Sequence, residues 1–508
     1  MQNKACLLTR RAMPSYETIS NVWGDPKDRG SIKLNGVDFD CPMSSERVLR
    51  RMRYPDRCRI LWVNAICINQ ADILERSDQV AMMDQIYTNT FRNLIWLGEA
   101  DESSGRALDA IDAVLEDAQC ETGDFSRLYD TLYNDRGVDQ FASTGLSFDV
   151  DHTALLTFYA RAWFRRLWVV QEAVLSPRSL CYCGDFEIPL LDVLRTASWL
   201  YQKSHFIPSS LRCSSELFRA FKTHTYADNE QGRFGHRSNG GAGLWVLLAS
   251  LRDFEVYDPL DHVYGILGLY RKYHPTGELS VLLAPDYTKS LQDVLRDATR
   301  LAIEELQDLE YLNDLSHRPW QFEEDRAFPT WVSRCDRAWD GEHDPGQLQS
   351  MSRADGSAWR ESFIVSDHAN PRNVYRLQGL VVGIAKNVFP LFKWGQSLET
   401  RLKIFRNIEI DMGNDHEGGG REALAATLVA ATNHSRRPAS AQLTEEGYIA
   451  WQEHLRKTCK FPPILRSGDS TLSDPTVLKA AEYGQAFVNV SVSRRCFITS
   501  TELLGLGP

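Results

Sequence analysis

The spacing of apolar residues changes along residues 60–98, and the change predicts a strand, a helix and a second strand. Ile60 to Ile68 is apolar except for Asn64, which is typical of a strand covered on both faces. From Ser77 onward, apolar residues recur every three or four positions, as on the buried face of a helix. Leu94 to Leu97 is a second apolar run. Because a connection with a helix inside it favours parallel pairing, we expect an open α/β sheet.

Polar and aromatic residues follow the predicted strands, at the edge where open parallel sheets usually bind ligands. A further strand is expected over Glu17 to Val22, and a turn containing Gly and Pro follows it. The alternative is that these side chains only pack or cap loops. The candidate binding residues at the three strand ends are Trp23, Gly24, Asn69, Gln70 and Glu99.

Four blocks in order resemble the fungal heterokaryon incompatibility (HET) domain, and weaker similarity continues through most of the chain. The blocks are YETISNVWGDP, ILWVNAICINQ, ERSDQVAMMDQIYTNTFRNLIWLG and RAWFRRLWVVQEAVLS. The resemblance implies a fungal, cytoplasmic protein that promotes growth arrest or cell death after non-self recognition. It also implies distant similarity to TIR domains, some of which cleave NAD, so NAD is a candidate substrate and no other cofactor is expected.

The fourth block carries the candidate catalytic residue, Glu172. Residues Trp163 to Leu175 have the apolar spacing of a buried helix, and Trp168 and Glu172 lie four positions apart on a neighbouring stripe. This pair is similar to the Trp and Glu of NAD-cleaving TIR domains, where the Glu holds the ribose. A carboxylate there could stabilise an oxocarbenium-like centre, and Arg165 and Arg166 could meet the pyrophosphate.

A structural interpretation of the same residues stands beside the catalytic one. In it, Glu172 pairs with a nearby arginine and the tryptophans belong to the core. The sequence also departs from the family's usual residues, with Asn21 where a Tyr is common and Asn64 where an Asp is usual. An amide keeps hydrogen bonding but loses the charge, so an inactive remnant is a further alternative.

Composition excludes several classes of protein and partner. A formal net charge of -11 over 508 residues gives no general attraction for nucleic acid, and no DNA-binding motif stands out. The eleven cysteines form no CxxC pair, so reduced thiols and no metal site are expected, with Cys67 in a buried strand and Cys181 and Cys183 packed on another. No apolar run reaches the length of a membrane span.

The predicted organisation has three parts. Residues 1–180 form the HET domain, an open, mostly parallel sheet like that of TIR domains and flavodoxin. Residues 181–335 form a mainly helical region that begins with a short hairpin over Ser179 to Pro189, and residues 336–508 form a small β-containing module. Relatives usually continue past the final GLGP, so this module is expected to be incomplete.

Two functional classes remain open on the sequence. One is an enzyme that cleaves NAD at Glu172. The other is a non-catalytic domain that signals by assembling with an unknown recognition partner or with copies of itself. The enzyme needs Glu172 in an accessible cleft, whereas the assembly domain needs an exposed contact surface.

Overall fold

The computed structural model divides the chain into two compact units. The first is Met1–Val138 with Thr144–Ala298, and the second is Asp139–Ser143 with Thr299–Pro508. The structure describes residues 15–123, 150–203, 243–274, 279–306 and 326–337, and the shorter stretches 213–215, 217–218, 220, 364–365, 376–377, 384–390, 392, 397–411, 419–429, 440–458, 460, 462, 474–491, 495–499 and 504–507. The sequence predicts loops in 227–243, 340–358 and 413–421 and a strand in 374–384, and most of these residues lie outside the described ones.

In the described residues of the first unit, the strands are β1 (Glu17–Asn21), β2 (Arg29–Leu34), β3 (Val37–Pro42), β4 (Leu61–Val63), β5 (Asn93–Trp96), β6 (Ser179–Cys183) and β7 (Phe186–Pro189). Five of them form one sheet with the order β4-β1-β5-β6-β7. The first four strands in this order are parallel, and β7 pairs antiparallel with β6 at one edge. A separate antiparallel hairpin, β2 and β3, lies outside this sheet. The mixed α/β class and the parallel strands expected from the sequence are confirmed. The strands predicted in 60–68 and 94–97 do not pair directly, however, because β1 lies between β4 and β5 and pairs with both.

In the part of the chain that the structure describes, eight helices of the first unit connect or cover these strands. They are α1 (Met43–Met52), α2 (Asn64–Cys67), α3 (Ile73–Val80), α4 (Met83–Thr88), α5 (Ser104–Thr122), α6 (His152–Tyr159), α7 (Trp168–Leu175) and α8 (Leu190–Lys203). Further helices of the region before residue 307 are Leu244–Ser250, Asp261–Tyr264, Leu267–Tyr273 and Leu291–Leu306. The last of these begins after Ser290, whose hydroxyl accepts from Asp293 N at 3.1 Å, as its capping sequence predicts.

Two predicted elements are shorter than the apolar runs that suggested them. The run Ile60 to Ile68 contains a strand of only three residues, after which Asn64 starts helix α2 and its carbonyl accepts from Ile68 N. A short apolar run cannot by periodicity alone distinguish a strand from a buried helical turn. The prediction of a buried Cys67 within a strand was therefore wrong, because Cys67 is in α2 and is exposed.

The helix predicted from Ser77 is also interrupted, since α3 ends at Val80 and α4 begins at Met83. Asp72 caps α3 and accepts from the backbone N–H groups of Leu74 and Glu75. Ser77 is nevertheless helical, so the helical period was predicted correctly. The prediction of one continuous helix was wrong.

The second unit has a core made mainly by four helices and a three-stranded antiparallel sheet within the described residues. The helices are Leu398–Asp411, Gly419–Leu428, Ala441–Thr458 and Pro475–Ser491, and the sheet contains Ala385–Val388, Arg495–Thr499 and Leu504–Gly507. Trp451 is fully buried there among Phe405, Phe487 and Tyr483. None of the helices in the described parts of the chain is long and apolar enough to cross a membrane.

Candidate functional site

Glu172 lies on α7 and is 2% exposed, so its carboxyl group is inside the first unit. Ser20, on β1, donates a hydrogen bond to Glu172 Oε2. Asn64, at the start of α2, donates to Glu172 Oε1 at 3.5 Å. Trp163 Nε1 in turn donates to Ser20 Oγ at 2.8 Å, so an aromatic, a hydroxyl and a carboxyl group form a continuous chain. These four residues are called the Glu172 centre below.

The alternation of side chains along the strands places polar groups on the α7 side of the sheet. On β1, Ile19 points into a core with Val48 and Met52 of α1, so Ser20 points to the opposite face. On β5, Asn93 lies on that same opposite face and donates to the Glu172 carbonyl oxygen at 3.2 Å. The backbone and the side chain of Glu172 are therefore both held at the sheet.

The protonation of Glu172 is set by burial and by its polar neighbours. Burial raises the pKa of Glu172, while the positive charge of Arg166, the hydrogen bonds from Ser20 and Asn64 and the nearby Tyr87 hydroxyl act in the opposite direction. Tyr87 is fully buried on α4, and burial raises its pKa well above the usual value, so its hydroxyl stays protonated and can donate. Arg166 is thus the cation that favours the ionised carboxylate.

A break between two helical segments positions Arg166. The single helix predicted over Trp163 to Leu175 was wrong, because a 3-10 helix ends at Arg165 and α7 begins at Trp168. Between them Arg166 is extended and forms an isolated parallel bridge with Glu255, and Leu167 N donates to the Glu255 carbonyl oxygen at 3.0 Å. This pairing with a distant segment replaces helix hydrogen bonding at Arg166. Local periodicity does not predict such a long-range contact.

The two arginines and the tryptophan that were predicted to contact a substrate, Arg165, Arg166 and Trp168, contact three different partners. Arg166 Nη1 donates to the Asn21 carbonyl oxygen at 2.5 Å, close to the Glu172 centre. Arg165 forms an ion pair of 3.1 Å with Glu255. Trp168 Nε1 donates to Asp261 Oδ2 at 2.9 Å, so its indole N–H serves a different carboxyl group from Glu172.

The other predicted binding residues have mostly local contacts. The prediction that Asn69 and Gln70 end a strand was wrong, because β4 ends at Val63 and α2 lies between this strand and Asn69. Trp23 is partly buried, and its carbonyl oxygen accepts from Ser44 at 3.0 Å, while Gly24 has a left-handed backbone with φ of 81°. Gln70 Nε2 donates to the Asn64 carbonyl oxygen at 3.4 Å. Asn69 and Glu99 are exposed, and the Glu99 carbonyl oxygen accepts from Arg161 at 2.9 Å. Their binding roles stay predictions.

Three members of the polar cluster around Glu172 were not singled out by the sequence analysis. Ser20 is a small polar residue inside a strand whose five residues are all buried, and that pattern could have marked it. Tyr87 was assigned to the apolar face of its helix, which hid its hydroxyl. Trp163 was assigned to the core, where it is 1% exposed, but its indole N–H also requires an acceptor.

Asp261 forms a second buried carboxyl cluster in the first unit. Its Oδ2 accepts from Trp168 Nε1, and its Oδ1 accepts from the Tyr287 hydroxyl at 2.6 Å. The Arg76 guanidinium stacks 3.5 Å from the centroid of the Tyr287 ring and pairs with Asp258 at 2.9 Å. Burial raises the pKa of Asp261 to about 6, and the two hydrogen bonds oppose that shift.

Asp261→Asn is expected to remove a pH-dependent part of the stability. Because the pKa is raised, the protonated Asp261 carboxyl group makes its full contribution to the stability of the fold below about pH 4. This contribution is lost as pH rises through about 6. A shift of this size corresponds to about 3 kcal/mol. The stability difference between wild type and Asp261→Asn should therefore fall by that amount between pH 4 and pH 7, measured by urea unfolding. Exposed Asp78→Asn is the control, and a difference independent of pH would contradict the assignment.

Metal binding has no candidate among the residues that the structure describes. No group of three or more His, Cys, Asp or Glu side chains is arranged there to hold an ion. Cys181 and Cys183 are both buried on β6, and burial raises the pKa of Cys181. The predicted packing role of this pair in the strand is consistent with their positions.

Comparison with known proteins gives one family match and one similar curated protein. Residues 16–172 match the family model described as Heterokaryon incompatibility protein (HET). The curated protein is Heterokaryon incompatibility protein 6, OR allele, of Neurospora crassa, which is 26% identical over 367 residues. This alignment covers 63% of the chain and 53% of the relative, so the chain spans about half the length of that relative.

No solved structure gives a significant match to this chain. The similarity to TIR or flavodoxin-like sheets therefore stays a prediction, whereas the family match includes β1, β4, β5 and the chain up to Glu172. Both matches are similarities to heterokaryon incompatibility proteins, and the similarity to the HET family model lies in residues 16–172.

Proposed function

We propose that this chain acts in fungal heterokaryon incompatibility, as an effector that arrests growth or promotes cell death after non-self recognition. The observation that carries the proposal is the match of residues 16–172 to the HET family, which contains all four residues of the Glu172 centre. The similar Neurospora crassa protein is named for heterokaryon incompatibility, and its function is extended to this chain as part of the proposal.

The Glu172 centre supports the view that the matched segment works as one cooperative module. Its hydrogen bonds join β1, the residue after β4, the 3-10 helix and α7. These connections meet at the carboxyl ends of β1 and β4, the edge where loops of an open parallel sheet usually carry function. A change in the centre would therefore reach the surface loops that follow both strands.

NAD cleavage at Glu172 is the second candidate function, favoured by the buried carboxyl group of raised pKa beside Arg166. In such a reaction, water replaces nicotinamide at the ribose carbon, and a carboxylate stabilises the positive charge that develops there. Because Glu172 is 2% exposed and already accepts from Ser20 and Asn64, substrate entry requires movement of Arg166 and its neighbours. NAD enters this proposal as the substrate.

Regulated expression in a filamentous fungus tests the proposed function. We expect expression of the wild-type chain to arrest growth and lower viability, and Glu172→Gln to weaken both effects at equal protein level. Glu399→Gln is the matched control, because Glu399 is an exposed carboxylate on a helix of the second unit. Normal growth at high levels of folded wild-type protein would contradict an effector role.

Nicotinamide release by the purified chain at high concentration separates the two candidate mechanisms. Release by the wild type and by Glu399→Gln, but not by Glu172→Gln, is expected if NAD is cleaved at Glu172. Growth arrest without release would remove NAD cleavage and leave the effector role intact. Circular dichroism of each variant excludes loss of folding as the cause.

A further inference from the structure

Positive charge is concentrated in one short segment of an acidic chain. Residues 47–59 contain six arginines and one aspartate, whereas the whole chain has a formal net charge of -11. Three of these arginines have carboxylate partners within the first unit. Arg50 pairs with Glu46, Arg51 lies 3.5 Å from Asp185 and Glu187, and Arg59 pairs with the largely buried Glu17.

The other three arginines are exposed and define a basic face. Arg47 lies on α1, and Arg53 and Arg57 lie on the turn that follows it. No ion pair is found for them with any residue that the structure describes. The guanidinium of Arg57 stacks 4.2 Å from the centroid of the Tyr54 ring, which holds this charge at the surface.

Helix α5 presents an acidic face of matching size. Asp109, Asp112 and Glu116 are spaced three and four apart, so they share one side of the helix, and all three are exposed. The side that packs inward contains Ala110, Ile111 and Val114 among its buried residues. The described residues offer these three carboxylates no ion pair either.

The basic and acidic faces belong to helices on opposite sides of the sheet. Val48 and Met52 of α1 pack in a core with Tyr182 of β6. Ser104, at the start of α5, contacts Cys183 of the same strand, with 3.5 Å between Oγ and Sγ. Because successive side chains of a strand point to opposite faces, α1 and the start of α5 lie on different sides.

We infer that copies of this chain associate head to tail, with the Arg47, Arg53 and Arg57 face of one copy against the Asp109, Asp112 and Glu116 face of the next. The partner is a second copy because the complementary charge lies on the same chain, on the other side of the sheet. Complementary charged faces accelerate encounter and fix orientation, and a contact between two different faces leaves one of each free for another copy. The inference goes beyond the proposed function and does not depend on chemistry at Glu172.

Sedimentation velocity of the full chain over a concentration series tests this inference. We expect self-association at about 0.1 M salt that is weakened at about 1 M, where the Debye length falls from roughly 10 Å to 3 Å. Glu172→Gln should associate like the wild type, so failure of the proposed function and failure of this inference are distinguishable. A wild-type chain that stays monomeric at low salt and high concentration would overturn the inference.

Charge reversal identifies the two faces. The triple variant Arg47→Glu, Arg53→Glu, Arg57→Glu and the triple variant Asp109→Lys, Asp112→Lys, Glu116→Lys should each associate at least about tenfold more weakly alone. A mixture of the two variants should associate again, because each supplies the charge that the other lacks. Glu399→Lys with Glu453→Lys, on the second unit, is the control for net charge. Unchanged association in either triple variant, or no recovery in the mixture, would refute the assigned faces.

Discussion

Trp163→Ala should lower the free energy of unfolding of the first unit by about 3–5 kcal/mol, the usual cost of removing a large buried aromatic side chain. Trp163 is 1% exposed and packs edge-on against Phe164, with ring centroids 5.2 Å apart. Its indole N–H also donates to Ser20 Oγ, so alanine removes both ring packing and a buried hydrogen bond. Urea unfolding followed by circular dichroism measures the loss.

Trp163→Phe separates packing from the hydrogen bond. Phenylalanine keeps most of the apolar ring but cannot donate to Ser20, so we expect a loss of about 1–2 kcal/mol. If phenylalanine were as damaging as alanine, the hydrogen bond to Ser20 would dominate. If alanine cost less than about 1 kcal/mol, the tight packing around Trp163 would be contradicted.

Glu172→Ala is expected to destabilise the first unit by about 3–5 kcal/mol, because it leaves two buried hydrogen-bond donors without an acceptor, at about 1–3 kcal/mol each. The substitution leaves Ser20 and Asn64 without their shared acceptor and removes the carboxyl group that lies near the positive charge of Arg166. Glu172→Gln retains the side-chain volume and an oxygen that can accept from Ser20. The free energy of unfolding of this variant should therefore fall by only about 1–2 kcal/mol.

The decisive measurement compares the free energies of unfolding of Glu172→Ala and Glu172→Gln, determined with urea at pH 7. If Glu172→Gln were as destabilising as Glu172→Ala, both oxygens of the carboxyl group would be required. Equal stability of wild type and Glu172→Ala would show that the centre contributes nothing to folding. Arg166→Gln is a useful companion, because it removes the cation while leaving the Asn21 carbonyl oxygen accessible to an amide donor.

The sheet was predictable from the sequence because its strands have simple signals. β1 and β5 are short buried runs bounded by polar or turn residues, and the helical spacing between β4 and β5 favoured parallel strands. The shared face of Ser20 and Asn93 follows from the same alternation once the register is known. Residue type and local spacing were sufficient for the strands and their direction, but not for the strand order or the register.

The geometry around Glu172 was harder to predict because contacts between distant residues determine it. Glu255 pairs with Arg166 across 89 positions and breaks the expected helix, which local periodicity does not reveal. The expected proximity of Trp168 to the same chemistry rested on helical spacing alone, and the Trp168 indole N–H instead donates to Asp261. Burial of Glu172 also depends on the whole fold, so its accessibility could not be inferred from its neighbours in sequence.

The order of strands in the sheet bears on where the first unit could be divided. The matched segment ends at Glu172, within α7, but β6 lies beyond it and supplies hydrogen-bonding partners along β5. A fragment cut at residue 172 would leave one edge of β5 open, although every residue of that strand is buried in the intact protein. Unpaired edges of apolar strands pair with other chains, so such a fragment should aggregate. A fragment that stays in solution must therefore retain β6 and its neighbour β7.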